Sequence, residues 1–290
     1  MVKPFITPDV PVLVQGITGR AGRQHTRNMR AYGTNIVAGV SQREDDVDGV
    51  PVYRTCGEAV AKTGAKTSIA IVPPLSVLPA ILEAIDGGVE FIVTITEGMP
   101  IHDAVKAKQA VKAVGVRWLG ASTPGLAIPG KLKIGFLPSV SLAPGHLGVM
   151  AKSGTLSYEV CHRLVSRGLG QSLWVGVGGD PVKGTRFADL VPTFAADPTT
   201  KAVVAMGEIG GDEEEELAEA LLAHKFPKPV FTLIAGASAR EGVTMGHAGA
   251  LIHGNVGTAA SKQAALKAAG AQVFTRMQDL VEAVAQHFRA

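Results

Sequence analysis

Val10-Pro11-Val12-Leu13-Val14-Gln15-Gly16-Ile17-Thr18-Gly19-Arg20-Ala21-Gly22 is the stretch on which the fold turns. Its apolar first half reads as a buried strand, its three glycines as a tight turn, and a helix is expected to carry on to about Tyr32. A turn of this kind lets a phosphate reach the backbone and meet the free N–H groups and the positive end of the helix dipole. The spacing is GxxGxxG and not the GxGxxG of the dinucleotide fingerprint, so the placement between strand and helix carries the reading. Working outward, Asn35–Val40 is the next strand and ends in Ser41-Gln42-Arg43. Nicotinamide-dinucleotide folds present an acid to the adenosine ribose at this point, and here it is absent. Glu44, Asp45, Asp46 and Asp48 read as a solvated loop. NAD is thereby disfavoured, and a ligand with an extra phosphate on its ribose stays open. Arg43 either faces such a phosphate or is a surface arginine.

The rhythm continues with strands at Thr67–Val72 before Pro73-Pro74, at Phe91–Thr96 before Glu97-Gly98, and at Arg117–Gly120. Helical patterns at Leu75–Asp86 and Ala104–Val114 alternate with them. Strand-helix alternation with near-continuous apolar strands predicts an α/β fold with a parallel, doubly wound sheet, whose ligands sit at the carboxyl ends of the strands. Ala121–Gly130, with two prolines and two glycines, reads as a linker. The junction is placed near Ala127, giving domains 1–127 and 128–290.

A second strand-helix series follows. His146–Ala151 leads through Lys152 into Ser153-Gly154-Thr155, where Ser153 or Thr155 caps a helix to Leu164 and the cation beside it suits an anion pocket. Leu173–Val177 ends in Gly178-Gly179-Asp180-Pro181, and a helix is expected over Arg186–Ala195. Ala202–Met206 runs into Gly207-Glu208-Ile209-Gly210-Gly211. Glu208 stands where a carboxylate can orient an imidazole, or else is a solvated loop acid. Asp212–Glu216 are assigned to favourable charge in a helix first turn and to no chemistry. Val230–Ala235 is the strand before Met245-Gly246-His247-Ala248-Gly249-Ala250. A helix to Ala269, a strand at Gln272–Thr275 and a helix to Phe288 close the chain. Flanked by glycines, His247 is open to a large group and is a candidate nucleophile; a packed or capping histidine is the alternative.

With 290 residues the chain suits about two domains of ordinary size. Charge of +3 without a basic run argues against nucleic acid. Cys56 and Cys161 have neither metal-site nor disulfide spacing, so no metal centre is expected and reduced thiols in a cytoplasm fit best. Neither a signal-peptide core nor an apolar run near the ~20 residues of a membrane span is present, so no membrane association is expected.

Taken in order, Gly16-Ile17-Thr18-Gly19, Ser153-Gly154-Thr155-Leu156, Gly178-Gly179-Asp180-Pro181, Gly207-Glu208-Ile209-Gly210-Gly211 and Gly246-His247-Ala248-Gly249-Ala250 resemble the alpha subunits of succinyl-CoA synthetase (succinate–CoA ligase) over nearly the whole length. The resemblance implies an N-terminal Rossmann-like CoA-binding domain followed by a flavodoxin-like ligase domain. It also implies a separate beta subunit of ATP-grasp fold that binds ATP or GTP with Mg2+. By the same resemblance His247 is the phosphohistidine and Glu208 holds its other ring nitrogen. Ser153, Gly154 and Thr155 cradle the phosphoryl group. Coenzyme A lies on Gly16, Thr18, Gly19, Arg20 and Gly22, with Pro73, Thr96 and Glu97 on the same edge. Three blocks depart from the family pattern. Ser41-Gln42-Arg43-Glu44-Asp45 replaces a Pro-Gly-Lys-Gly-Gly run, leaving Arg43 as the candidate cation for CoA. Ser122-Thr123-Pro124 replaces Asn-Cys-Pro beside the reacting acyl group. Arg240-Glu241-Gly242-Val243-Thr244 replaces a more basic segment. The leading expectation is the alpha subunit of an acid–CoA ligase of the succinyl-CoA synthetase type acting on a small dicarboxylate. Retained catalytic blocks with altered substrate-side blocks suggest a paralogue for a different carboxylate, and a malate–CoA or citrate–CoA ligase subunit of the same mechanism is the alternative. A CoA-binding protein without turnover is a further alternative, opposed by the presence of nucleophile and orienter together.

Overall fold

The computed structural model describes residues 4–43, 45–238, 246–252 and 257–289. Glu44 and the departure at 240–244 lie outside the described residues. The chain forms two compact units. One comprises Ile6–Leu137 with Val182–Thr185; the other comprises Pro4 and Phe5, Pro138–Pro181 and the described residues from Arg186 onward.

In the first unit the quoted stretch folds as expected: β1 (Val12–Gln15) is fully buried and α1 (Arg20–Tyr32) starts directly after Gly19. There follow β2 (Ile36–Val40), β3 (Asp46–Val47), β4 (Val50–Tyr53), α2 (Cys56–Thr63), β5 (Thr67–Ala70), α3 (Val77–Asp86), β6 (Phe91–Thr94), α4 (Ile101–Val114) and β7 (Arg117–Gly120). The sheet runs β3-β4-β2-β1-β5-β6-β7 and is parallel except for the short β3–β4 pair. Its six parallel strands have the 3-2-1-4-5-6 order of dinucleotide-binding folds, with the reversal between β1 and β5. No residue of β1, β5 or β6 reaches solvent because helices cover both faces. Leu13, Ile81, Ile92 and Trp118 meet in one apolar core, and the Trp118 indole N–H donates to Thr94 Oγ1 at 2.8 Å.

One expectation is corrected here. The stretch 121–130 is no linker: β8 (Gly125–Ile128) pairs antiparallel with β9 (Leu132–Gly135), and the expected junction at Ala127 falls inside β8. The prolines and glycines of a hairpin turn have the same composition as a linker, and only the pairing tells them apart. The acids of the loop after β2, Asp45, Asp46 and Asp48, are exposed as expected; Asp46 opens β3, and surface ion pairs join Arg27 Nε to Asp48 at 2.8 Å and Arg54 to Asp45 at 2.6 Å.

The second unit contains β10 (Pro144–Ala151), α5 (Gly154–Val165), β11 (Gln171–Gly176), α6 (Phe187–Ala196), β12 (Ala202–Glu208), α7 (Glu213–Ala223), β13 (Val230–Ala235), α8 (Ala259–Ala268), β14 (Gln272–Phe274) and α9 (Met277–His287). Its parallel strands run β14-β13-β12-β10-β11. Numbered from β10 this is the flavodoxin-like order 2-1-3-4-5, with the reversal between β10 and β12. Among the described residues, no helix is long and apolar enough to cross a membrane.

Candidate active site

Four loops of the second unit leave the carboxyl ends of its strands, and two of them flank the reversal point. Glu208 is the last residue of β12, and Ser153 follows β10. His247 Nδ1 lies 2.8 Å from Glu208 Oε2 and 2.9 Å from Oε1. An ionised carboxylate only accepts, so a neutral imidazole in this contact carries its proton on Nδ1. The Glu208 side chain is 10% exposed and that of His247 25%, so the imidazole can be reached while its orienter is shielded. The ring lies flat on Gly179, where a Cβ would come within 2.3 Å of Cγ. The Gly249 N–H donates to Gly179 O at 3.1 Å, and Ala250, Ile252 and Ile209 pack beneath the loop. The Gly178-Gly179-Asp180 turn is thus a seat for the imidazole, a role that the sequence did not announce.

Ser153 caps α5: its hydroxyl accepts the Leu156 N–H at 3.3 Å. Thr155 is not the cap. Helix geometry leaves the Gly154 and Thr155 N–H groups without intrahelical partners, at the positive end of the helix dipole, an arrangement that suits an anion. Lys152 does not point at that site. It is buried and its ammonium pairs with Glu214 at 2.8 Å. Burial opposes its charge, but Glu214 and Glu213 outweigh it and the Lys152 pKa is raised.

The acidic run after Gly211 does form the first turn of α7, as expected, but Glu213 and Glu214 are also buried there, 3% and 1% exposed. Glu214 faces both Lys152 and Lys262, Lys262 also reaches Glu215 at 3.0 Å, and Glu213 accepts the Phe187 N–H at 3.0 Å. Burial pushes the Glu214 carboxyl up, yet Lys152 and Lys262 together hold it below the usual carboxylate range. A run of four glutamates reads as solvent-facing because buried charge is rare unless paired, and the partners lie far off in sequence.

The first unit gathers the other predicted residues on its own reversal edge. Gly16 has φ +77°, and a Cβ there would stand 2.3 Å from Ile71 O, so the chain passes too close to the end of β5 there for a side chain. Gly22 closes the turn, with no room for a Cβ beside Gly16 O at 2.2 Å. Thr18 and Ser41 share a hydroxyl hydrogen bond of 2.7 Å, and the Arg43 N–H donates to the same Ser41 oxygen at 3.3 Å. Arg43, Pro73 and Glu97 are exposed. Thr96 donates to Val72 O at 2.7 Å and accepts the Ser122 N–H through its carbonyl at 2.9 Å. Ser122 therefore stands on the same edge, at φ 58°, a strained value for a residue with a side chain. Thr123 turns inward, its hydroxyl accepting the Gly125 N–H at 2.9 Å, and Pro124 O accepts from Phe136 at 3.1 Å. Both are used by the hairpin. A pocket of about 770 Å³ runs along the start of α1, lined by Arg20, Ala21, Arg23, Gln24, His25 and Arg27. Arg23 and Arg27 had no motif to mark them; the helical spacing of 20, 23 and 27 is the signal that finds them.

Residues 7–98 match the CoA-binding domain family and residues 150–272 the CoA-ligase family. Succinate–CoA ligase [ADP-forming] subunit alpha 1 of Archaeoglobus fulgidus is 46% identical over 97% of this chain and 96% of its own. The Aquifex aeolicus alpha subunit is 43% identical over 97% and 93%. The chain belongs to the succinate–CoA ligase alpha-subunit family. Membership of this alpha-subunit family agrees with the blocks named from the sequence and with the order of both sheets. Solved structures show the fold again: Methanosaeta concilii ATP citrate lyase superposes with a TM-score of 0.89 at 22% identity, over 97% of this chain and 50% of its own. The Korarchaeum cryptofilum acetyl-coenzyme A synthetase 1 superposes at 0.76 and 22% identity, over 93% and 59%. The chain thus spans about half the length of these larger ligase and lyase chains.

Proposed function

We propose that this chain is the alpha subunit of an acid–CoA ligase that activates succinate through a phosphohistidine at His247 and works with an ATP-grasp beta subunit. The observation that carries the reading is the 2.8 Å contact of His247 Nδ1 to the shielded Glu208 carboxylate, with the imidazole itself 25% exposed. In the first step Nε2 attacks the terminal phosphorus of an NTP held with Mg2+ on the beta subunit, and the NDP leaves. Glu208 stabilises the positive charge that grows on the ring. A substrate carboxylate oxygen then attacks that phosphorus, giving an acyl phosphate and restoring the imidazole. Attack of the CoA thiolate on the acyl carbon expels inorganic phosphate. This order follows from chemistry, since a carboxylate does not react with a thiol until one oxygen has become a leaving group. Gly154 and Thr155 are assigned to the phosphoryl group. The glycine turn at Gly16 and Gly22, with Thr18, Gly19, Arg20, Arg43, Pro73, Thr96 and Glu97, is assigned to CoA. The arginine-lined pocket along α1 suits its phosphates. Ser122 is assigned to the carboxylate, with Thr123 and Pro124 shaping its loop. Succinate and ATP are preferred because both relatives named above are succinate–CoA ligases [ADP-forming].

The test is incubation of the chain and its beta subunit with γ-labelled ATP or GTP. Acid-labile, base-stable label on the wild type, absent from His247→Ala, supports the reading; equal labelling of both overturns it. Discharge of the label by succinate, malate or citrate then decides the acid.

A further inference from the structure

One buried carboxylate touches three parts of the site at once. Glu214 Oε1 accepts the backbone N–H of Glu208 at 3.0 Å and lies 2.8 Å from Lys152 Nζ. Its Oε2 accepts from Lys152 at 3.1 Å and from Lys262. Lys152 directly precedes the Ser153 cap, and its own N–H donates to Met206 O at 3.1 Å. Lys262 sits on α8, downstream of the His247 loop, and also donates to Gly211 O at 3.0 Å and to Glu215 at 3.0 Å. Its three ammonium protons are all used. Gly207 has no side chain where one would collide with Glu214, its Cβ standing 2.4 Å from Oε1. The backbone just before Glu208 is therefore shaped around this carboxylate.

We propose that Glu214 is a positioning residue for phosphoryl transfer: bridged between Lys152 and Lys262, it fixes the Glu208 backbone and so aims the Glu208 carboxylate at His247 Nδ1. The inference rests on the phosphohistidine reading only for its kinetic readout. A buried ion triad is weak evidence for stability, because desolvation consumes most of its attraction, but its geometry is restrictive since each partner leaves the others uncompensated if it moves. Glu215, Glu213 and Gly211 O hold the two lysines from their other sides. The Lys152–Glu214–Lys262 bridge thereby joins the end of β10, the turn after β12 and the start of α8.

Glu214→Gln keeps the size and an oxygen for the Glu208 N–H while removing the charge between the lysines. In the assembled enzyme it is expected to slow His247 labelling at least tenfold while KM for CoA stays within twofold. In the isolated chain the downfield Nδ1 proton resonance of His247 is expected to shift or broaden. Glu208→Gln combined with Glu214→Gln is expected to be no slower than Glu208→Gln alone. Should Glu214→Gln fail to fold, Gly207→Ala displaces the same carboxylate with every charge retained and is expected to show the same loss. Wild-type labelling rate and an unchanged Nδ1 resonance in the folded variant overturn the proposal, as does a loss that adds in full to that of Glu208→Gln. If the wild type itself takes up no label, the phosphohistidine reading fails, and the Nδ1 resonance alone decides the positioning role.

Discussion

The two parallel sheets offer their ligand edges at equivalent points, where strand order reverses, and furnish them in opposite ways. At the β1–β5 crevice the chain presents backbone: Gly16 and Gly22 clear the turn, and the polar groups around it are exposed or joined by single hydroxyl bonds. At the β10–β12 crevice it presents side chains set over buried charge. All three buried carboxylates among the described residues, Glu208, Glu213 and Glu214, lie at the end of β12 and the start of α7. The contrast follows from the tasks assigned to the two edges. Holding a flexible polyanion needs bare N–H groups and mobile cations at little cost in buried charge. Passing a phosphoryl group through one nitrogen needs that nitrogen held in one tautomer and one orientation, and ion pairs removed from water supply the rigidity.

If the division of labour is right, damage to one edge should leave the other working. The largest effect is expected from His247→Ala, which lowers phosphoryl transfer at least about a thousandfold with CoA affinity intact by calorimetry; a fall in CoA binding would blur the contrast. Next comes Glu208→Gln, expected to slow labelling about a hundredfold with the pH profile of labelling displaced, because the amide no longer supports charge on the ring. Gly16→Ala tests the other edge. With φ +77° and a Cβ 2.3 Å from Ile71 O, it should weaken CoA binding and lower stability by about 1–3 kcal/mol in urea, while His247 still takes up label in the folded fraction. A smaller effect concerns acid. The Glu214 pKa is depressed in the folded state, so its contribution to stability is complete above the unfolded carboxylate value of about 4.3 and is lost as pH falls through and below it. As pH falls below about 4.3, wild type should lose urea midpoint more steeply than Glu214→Gln, which lacks that titration. The smallest effect is Arg43→Ala: an exposed cation beside a phosphate contributes about 1 kcal/mol or less, so CoA affinity should fall a few-fold at low salt and hardly at high salt.

Legibility differed between these regions for a physical reason. The glycine turn at 16–22 and the cap at Ser153 are local: strand, turn and helix lie within a few residues, and the structure places them where the periodicity predicts. His247 and Glu208 were each recognisable from their loops and the resemblance, though 39 residues separate them. The hairpin of β8 and β9 was misread because Pro129-Gly130 ends a strand as readily as it opens a linker. Glu213 and Glu214 do lie in a helix first turn, but their burial was not legible, because a run of acids at a helix start has a sufficient local explanation in the dipole.

The chain by itself determined the alternation of strands and helices, the two glycine-bounded edges, the histidine with its orienting acid, and the family, since these depend on turn chemistry and residue type at short range. Tertiary structure alone decided which charges are buried and whom they meet. Lys152 and Lys262 stand 62 and 48 residues from Glu214, and no local propensity links them. Only the 2-1-3-4-5 strand order brings the ends of β10 and β12 side by side, and packing α7 against α8 excludes the water that would otherwise screen the three charges.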